Sequence, residues 1–90
     1  MTFTWNPEKD AANRRKHAVG FREAASVLED PLSTTYLDPA HSRGEQRYVT
    51  IGRSRLERTL VVAHADQGDT IRIISARPAT RRERRFYEEG

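Results

Sequence analysis

The sequence contains no cysteine and no long apolar run. Without cysteine, neither a disulfide framework nor a cysteine-ligated zinc site can form. No apolar stretch approaches the roughly 18 residues that a membrane-spanning helix needs. The opening residues, MTFTWNPEKD, lack the basic and apolar regions of a signal peptide. These absences favour a cytoplasmic protein that does not enter membranes.

Aromatic residues are also scarce, at 8% of the 90 residues, and all hydrophobic residues together make up 36%. A chain this short buries a smaller share of its surface than a larger domain does, so its core should be thin. The length suits one domain over residues 1–90. A partner that covers apolar surface would add to its stability.

Lysine is nearly absent, since fourteen of the sixteen basic residues are arginine, and the net charge is +3. Residues 46–90 carry ten arginines and six acidic residues, whereas residues 1–45 carry six basic and seven acidic residues. Arginine contacts phosphate with two parallel hydrogen bonds and stacks on bases. The excess of arginine and its concentration in the second half of the chain favour a nucleic-acid partner. An arginine-favouring codon usage is the alternative explanation for the high arginine content.

Hydrophobic spacing and turn residues predict the element order β-α-α-β-β-β-β-α. The predicted elements are a strand near 2–6, a helix from Pro7 to about His17 that stops near Gly20, a helix over 21–28, strands over 34–38, 47–53, 59–65 and 71–77, and a helix over 80–89. A hairpin turn is predicted at 66–69. This order indicates a small α+β domain with a mostly antiparallel sheet of four to five strands, two N-terminal helices and one C-terminal helix.

The last twenty residues carry the strongest local signals. An apolar strand meets Pro78, and Thr80 with Glu83 forms a T-x-x-E capping box that starts a helix. Five arginines fall within nine positions: Arg77, Arg81, Arg82, Arg84 and Arg85. Cations at a helix start oppose its dipole, which suggests that an external polyanion compensates for the cost.

Three separated segments carry a family resemblance: FTWNPEKDAANRRKHAVGFREAASVLEDP (3–31), GEQRYVTIG (44–52) and IRIISARPATRRERRFYE (71–88). Together they resemble the BrnT family of bacterial type II toxins. The resemblance implies a RelE-like fold, a ribonuclease that arrests translation, and neutralisation by a BrnA-like antitoxin with a DNA-binding region. Two positions depart from the family pattern: Asn6 stands where Asp is frequent, and Ala18 where Gly is frequent.

Metal-independent RNA cleavage needs a base, an acid and cations that stabilise the phosphoryl transition state. No Asp/Glu/His group has metal-ligand spacing, so we expect neither a metal nor another cofactor. His17, near a helix end, and His64, in the 59–65 strand, are candidate acid–base groups. The alternatives are a dipole-stabilising role for His17 and a core position for His64, which shares a strand face with Leu60 and Val62.

Three further candidate catalytic residues lie on predicted strands or at the start of one. Glu45 and Arg47 are two residues apart, so they should point to one face and place a carboxylate beside a phosphate-binding guanidinium. A surface ion pair is the alternative. Arg77 follows Ile73 and Ser75 on one predicted face and is the leading candidate for phosphate contact. We expect its replacement by alanine to lower the cleavage rate with little effect on the melting temperature.

The helices supply the remaining candidates. Tyr87 neighbours Glu83 and Arg84 on the last helix and could stack on a base or donate a proton; alternatively, it packs the helix onto the sheet. The candidate RNA-binding residues are Lys9, Asn13, Arg81 and Arg84.

Three functions fit these features. The leading one is a ribonuclease toxin with an RNA substrate, held in a hetero-oligomer with its antitoxin and reaching DNA only through it. The second is a non-catalytic RNA- or DNA-binding module. The third is a structural subunit whose arginine-rich helix docks an acidic protein.

Overall fold

The computed structural model describes residues 1–41 and 44–90, and for His41 the backbone alone. The elements in chain order are β1 (Thr2–Thr4), α1 (Pro7–His17), α2 (Phe21–Val27), β2 (Thr34–Leu37), a 3-10 turn (Pro39–His41), β3 (Arg47–Arg53), β4 (Thr59–Gln67), β5 (Thr70–Pro78) and α3 (Arg81–Glu89). The predicted order is confirmed. The described helices are all too short and polar to cross a bilayer.

One five-stranded sheet has the order β1-β5-β4-β3-β2. Every neighbouring pair is antiparallel except β1 with β5, which run parallel. The hairpin between β4 and β5 turns through Gly68, whose positive φ of 64° suits glycine. The predicted α+β class with a mostly antiparallel sheet is therefore confirmed.

One face of the sheet forms the hydrophobic core. Its buried side chains are Val19, Phe21, Ala24, Val27, Leu60, Val62, Ile71, Ile73 and Ala76. The ring of Trp5 meets that of Phe21 edge-on, with centroids 6.4 Å apart. We call the opposite side the open face and define it by Val49, Ile51, Val61, Ala63, Ser75 and Arg77. At one end of it, α3 packs beside Ile51.

α1 ends at His17, as predicted, but the residue that terminates it is not the expected glycine. Asn6 caps its start, since Oδ1 accepts from the N–H groups of Glu8 at 2.8 Å and Lys9 at 3.2 Å. The left-handed residue at the helix end is Ala18 (φ 58°) rather than Gly20, whose φ is −87°. A residue with a Cβ is strained in this conformation, which glycine adopts freely.

A β-bulge corrects the predicted faces of β5. Ala63 lies opposite Ser75, but the next residue, His64, lies opposite Ile73, so β5 carries one extra residue here. The alternation therefore breaks: Ile73 joins the core, while Ser75 and Arg77 stay on the open face. The prediction that all three share one face is wrong, because strict alternation cannot show a bulge.

Two buried polar contacts fix the helices on the sheet. The Asn13 amide donates to the carbonyls of Val19 and Ala76, each at 2.8 Å, and its oxygen accepts from the Ala76 N–H at 3.2 Å. It thereby continues the ladder of β5 beyond the end of β1. Buried Glu23 accepts from Arg58 and from the Ser54 hydroxyl at 2.7 Å, which holds the β3–β4 loop against α2.

Candidate functional site

A cavity of about 350 Å³ on the open face brings together two of the predicted catalytic residues, His17 and Arg77. Its other lining residues are Asp38, Val49, Val61, Ala63, Ser75 and Ala76. Because the Asn13 amide holds α1 against the backbone of Ala76, the end of α1 lies beside the last residues of β5. An imidazole and a guanidinium thus share a concave site with an apolar floor.

The guanidinium of Arg77 is paired end-on with Glu83. Its Nη1 and Nη2 donate to the two carboxylate oxygens at 2.7 and 2.9 Å. Hydrogen bonds from Arg77, together with the Thr80 N–H at 2.8 Å, lower the pKa of Glu83 to about 2. The predicted capping box is confirmed, and its glutamate also fixes the orientation of Arg77.

Glu45 and Arg47 are in contact, as their spacing predicted, with Nε of Arg47 3.4 Å from the Glu45 carboxylate. The same carboxylate accepts from Arg72, which the sequence reasoning did not single out. Arg47 and Arg72 flank Ala65 from the two neighbouring strands. These three charged residues therefore form a net cationic cluster on the open face. The cluster lies next to the cavity, because Arg47 precedes the cavity residue Val49 by two positions on β3.

His64 lies on the opposite, core-facing side of the sheet, as its shared face with Leu60 and Val62 predicted. It is 2% exposed and stacks on Tyr48 with ring centroids 5.8 Å apart. Its Nδ1 lies 2.8 Å from Asp66 Oδ1, and its Nε2 lies 2.8 Å from Thr50 Oγ1. Both ring nitrogens are satisfied inside the fold, away from the His17–Arg77 cavity.

Tyr87 anchors α3 to the turn that follows α2. Its hydroxyl donates to Asp30 Oδ2 at 2.6 Å, and this hydrogen bond raises the pKa of Tyr87. Burial alone would raise the pKa of Asp30, but hydrogen bonds from the Arg53 N–H and Tyr87 lower it overall. Tyr87 is therefore a neutral hydrogen-bond donor at physiological pH, and its proton is directed at Asp30.

The predicted RNA-binding residues are dispersed. Asn13 is buried, whereas Lys9, four residues before it on α1, is exposed. Arg81 is exposed at the start of α3, and Arg84 lines a different cavity with Arg58. Lys9, Arg81 and Arg84 therefore present surface charge, while Asn13 is committed to holding α1.

Sequence reasoning missed the cavity residues Asp38 and Ser75. Asp38 directly follows β2, and its backbone N–H donates to the Arg47 carbonyl at 2.8 Å. In the sequence, a single acidic residue before a proline indicates only a turn. The pairing of β2 with β3 is needed to show that Asp38 lies in the cavity. Among the side chains that the structure describes, those of residues 1–40 and 44–90, no three His, Asp or Glu groups gather as metal ligands would.

A solved structure has a similar fold. The Brucella abortus ribonuclease toxin BrnT aligns with a TM-score of 0.65 and 21% sequence identity, over 90% of this chain and 99% of that one. No curated protein matches the sequence significantly. The family model described as the ribonuclease toxin BrnT of type II toxin–antitoxin systems matches residues 5–83, most of the chain. The chain therefore belongs to the BrnT family of ribonuclease toxins.

Proposed function

We propose that the open face binds RNA and that the His17–Arg77 cavity is the catalytic centre of a metal-independent endoribonuclease, which arrests translation in the cytoplasm. One observation carries this proposal: a titratable side chain and a fixed guanidinium lie in the same concave site. The cationic cluster of Glu45, Arg47 and Arg72 extends the same face.

The reaction would use the nucleophile that RNA itself contains. The 2′-hydroxyl attacks the neighbouring phosphorus, the P–O5′ bond breaks, and a 2′,3′-cyclic phosphate and a 5′-hydroxyl result. A base takes the proton of the 2′-hydroxyl, and an acid returns one to the leaving oxygen. His17 serves as one of these groups, and an open-face carboxylate, Glu45 or Asp38, is the candidate for the other.

Arg77 can contact phosphate without releasing Glu83. A guanidinium has five N–H donors in a planar fork. The end-on pair uses Nη1 and one Nη2 hydrogen, and Nη1 also reaches the Pro78 carbonyl at 3.3 Å. The Nε–H and the second Nη2–H form the side edge of the same plane, and neither has a partner among the described residues. That side edge suits two phosphate oxygens, and Glu83 holds it in place.

The other candidates take supporting roles. Arg47 stabilises charge beside the cavity, while exposed Lys9, Arg81 and Arg84 attract the RNA backbone through long-range electrostatics. Asn13 positions the end of α1, which carries His17. His64 and Tyr87, each hydrogen-bonded away from the cavity, act through the position of the elements that they join.

Kinetics of matched variants test the site. Arg77→Ala should lower the cleavage rate by about 100-fold or more, because it removes a preorganised transition-state contact. Arg77→Lys should restore activity in part, since an ammonium lacks the fork. His17→Ala should be slow and should lose one limb of the pH–rate profile.

Glu83→Gln is the matched control, because it weakens the same ion pair but retains Arg77. Because Arg77 and Glu83 are hydrogen-bonded to each other, Arg77→Ala should melt earlier than the wild type, unlike the expectation from the sequence alone. Glu83→Gln should lose a similar amount of stability, so a slower reaction in Arg77→Ala than in Glu83→Gln measures the contribution of the guanidinium itself. Arg22→Ala, an exposed cation away from the open face, controls for net charge. Cleavage by Arg77→Ala at the wild-type rate would remove Arg77 from the site.

Membership of a type II toxin family implies a cognate antitoxin. We infer that this antitoxin is acidic, that it covers the basic surface of α3 in a hetero-oligomer, and that any DNA binding belongs to the antitoxin. Charge reversal at Arg81 and Arg82 should weaken that complex and lower its salt dependence. Titration calorimetry at two salt concentrations measures both quantities, and an unchanged affinity would place the antitoxin elsewhere.

A further inference from the structure

We propose that the antitoxin docks an extended, acidic segment onto the outer edge of β2, where it adds a sixth strand to the sheet. This inference rests on the proposed neutralisation by an antitoxin, and it names the surface and the form of the contact. The edge at Thr34–Leu37 lies at the end of the strand order, so no strand formed by the described residues pairs with its outer side.

The hydrogen-bond register shows which backbone groups point outward. Leu37 is in register with Tyr48, and the Asp38 N–H donates to the Arg47 carbonyl, so the same register extends one residue beyond β2. In an antiparallel pair, hydrogen-bonded positions alternate with positions whose N–H and C=O groups point away. Tyr36 and Thr34 therefore bond to β3, whereas Thr35 and Leu37 direct their backbone groups outward. The two N–H donors and two C=O acceptors of these residues have the spacing that pairing with an added strand requires.

An apolar cavity lies beside this edge. It has a volume of about 290 Å³ and is lined by Tyr36, Ile51, Arg82, Glu83 and Phe86. The Tyr36 and Phe86 rings are 6.0 Å apart, and their residues are 40% and 49% exposed. Large apolar side chains at a strand edge stay exposed at a cost that a partner can remove. A strand added to β2 would place every second side chain on this side of the sheet.

The surrounding charges select an acidic partner. Arg81, Arg82 and Arg85 are exposed on α3, and the nearby carboxylate of Glu83 is committed to Arg77. A segment with one apolar side chain between acidic ones would fill the cavity and neutralise Arg82. The same cations disfavour a second copy of this chain at the edge, and Pro31 and Pro39 limit the length of a self-pairing strand.

Docking here would also block the catalytic cavity. Asp38, the residue after β2, lines the cavity that holds His17 and Arg77. A segment that pairs with β2 and continues past Leu37 therefore reaches the RNA site directly. This geometry makes antitoxin binding and RNA binding mutually exclusive without any change of fold.

A matched pair of variants tests the backbone contact. Leu37→Pro removes an outward N–H that the sheet does not use, while Leu37→Ala removes the side chain and keeps the N–H. Proline is tolerated at such edge positions. We expect Leu37→Pro to bind the purified cognate antitoxin at least about tenfold more weakly than Leu37→Ala, because one hydrogen bond is lost and a strand is obstructed. Titration calorimetry measures both affinities.

Hydrogen exchange of the unaltered protein gives an independent result. The Thr35 and Leu37 amides should exchange fast alone and become protected with the antitoxin. Equal affinities for the two variants, or no protection, would overturn the proposal. Protection that grows with protein concentration without antitoxin would overturn it in favour of a second copy. RNA cleavage by both free variants should equal that of the wild type, so a failure of the ribonuclease proposal would be seen separately.

Discussion

Replacement of Glu83 by glutamine isolates the charge of the pair that orients Arg77. Glutamine retains the capping box at the start of α3 and can still accept a hydrogen bond from Arg77, so mainly the negative charge is lost. The two groups lie between β5 and α3, with side chains that are 27% exposed for Glu83 and 42% exposed for Arg77. The variant therefore reports how strongly this pair attaches α3.

The size of the effect follows from the pKa of Glu83, which lies at about 2 against an ordinary 4.5 because of the hydrogen bonds from Arg77. A difference of this size corresponds to at most about 3 kcal/mol. Since water screens the exposed part of Arg77, we expect about 1–2 kcal/mol in practice. Glu83→Gln should lower the free energy of unfolding by this amount at neutral pH.

The lowered pKa of Glu83 also determines how the stability difference between the wild type and Glu83→Gln changes with pH. A carboxylate with a lowered folded-state pKa stabilises the fold above its unfolded-state pKa of about 4.5, and the contribution is lost as the pH falls toward 2. The free-energy difference between wild type and Glu83→Gln should therefore be largest at pH 7 and should shrink toward zero near pH 2. Urea unfolding over this pH range measures it.

Glu89→Gln provides the control, because Glu89 is an exposed acid on the same helix. Its unfolding free energy should stay within about 0.5 kcal/mol of the wild type. A difference between wild type and Glu83→Gln that does not change with pH would refute the reasoning, since the lost stability would then not come from the charge. Equal stability at pH 7 would show that α3 is held by its other contacts.

Three further predictions concern stability and catalysis. Ala18→Gly should raise the unfolding free energy by about 0.5–1 kcal/mol, because it relieves the left-handed strain at the end of α1; a lower melting temperature would contradict this. Arg58→Ala should lower the free energy of unfolding by about 3 kcal/mol, since it leaves the buried carboxylate of Glu23 without its cation. Chemical denaturation measures this loss, and a change below about 1 kcal/mol would contradict the prediction. Tyr87→Phe should lower the free energy of unfolding by about 1 kcal/mol, because the hydrogen bond to Asp30 is lost, and it should keep most of the cleavage rate. A reaction about 100-fold slower in a variant that is still fully folded would instead make Tyr87 a catalytic acid.

Local signals in the sequence predicted the elements well. Asn6 before Pro7, and Thr80 with Glu83, each place side-chain oxygens where a helix start needs acceptors, and both caps form. The hairpin between β4 and β5 follows from its glycine. These features depend on residues a few positions apart, so a single sequence contains all the information that they need.

The site depended on contacts that span the chain. The pairing of β2 with β3 places Asp38, and the amide of Asn13 carries His17 toward β5 across 63 positions of sequence. The bulge in β5 shifted Ile73 into the core. Glu83 could be recognised as a helix cap, but its pairing with Arg77 depends on how α3 turns back from Pro78. Candidate residue types were thus predictable, whereas their grouping was not.

Cleavage of a defined RNA by the purified protein in EDTA, with mass analysis of the product ends, tests the central claim most directly. The account predicts full activity, products ending in a 2′,3′-cyclic phosphate and a 5′-hydroxyl, and no cut where the nucleotide before the scissile bond is 2′-deoxy. Loss of activity that a divalent cation restores, or products with a 3′-hydroxyl and a 5′-phosphate, would contradict it.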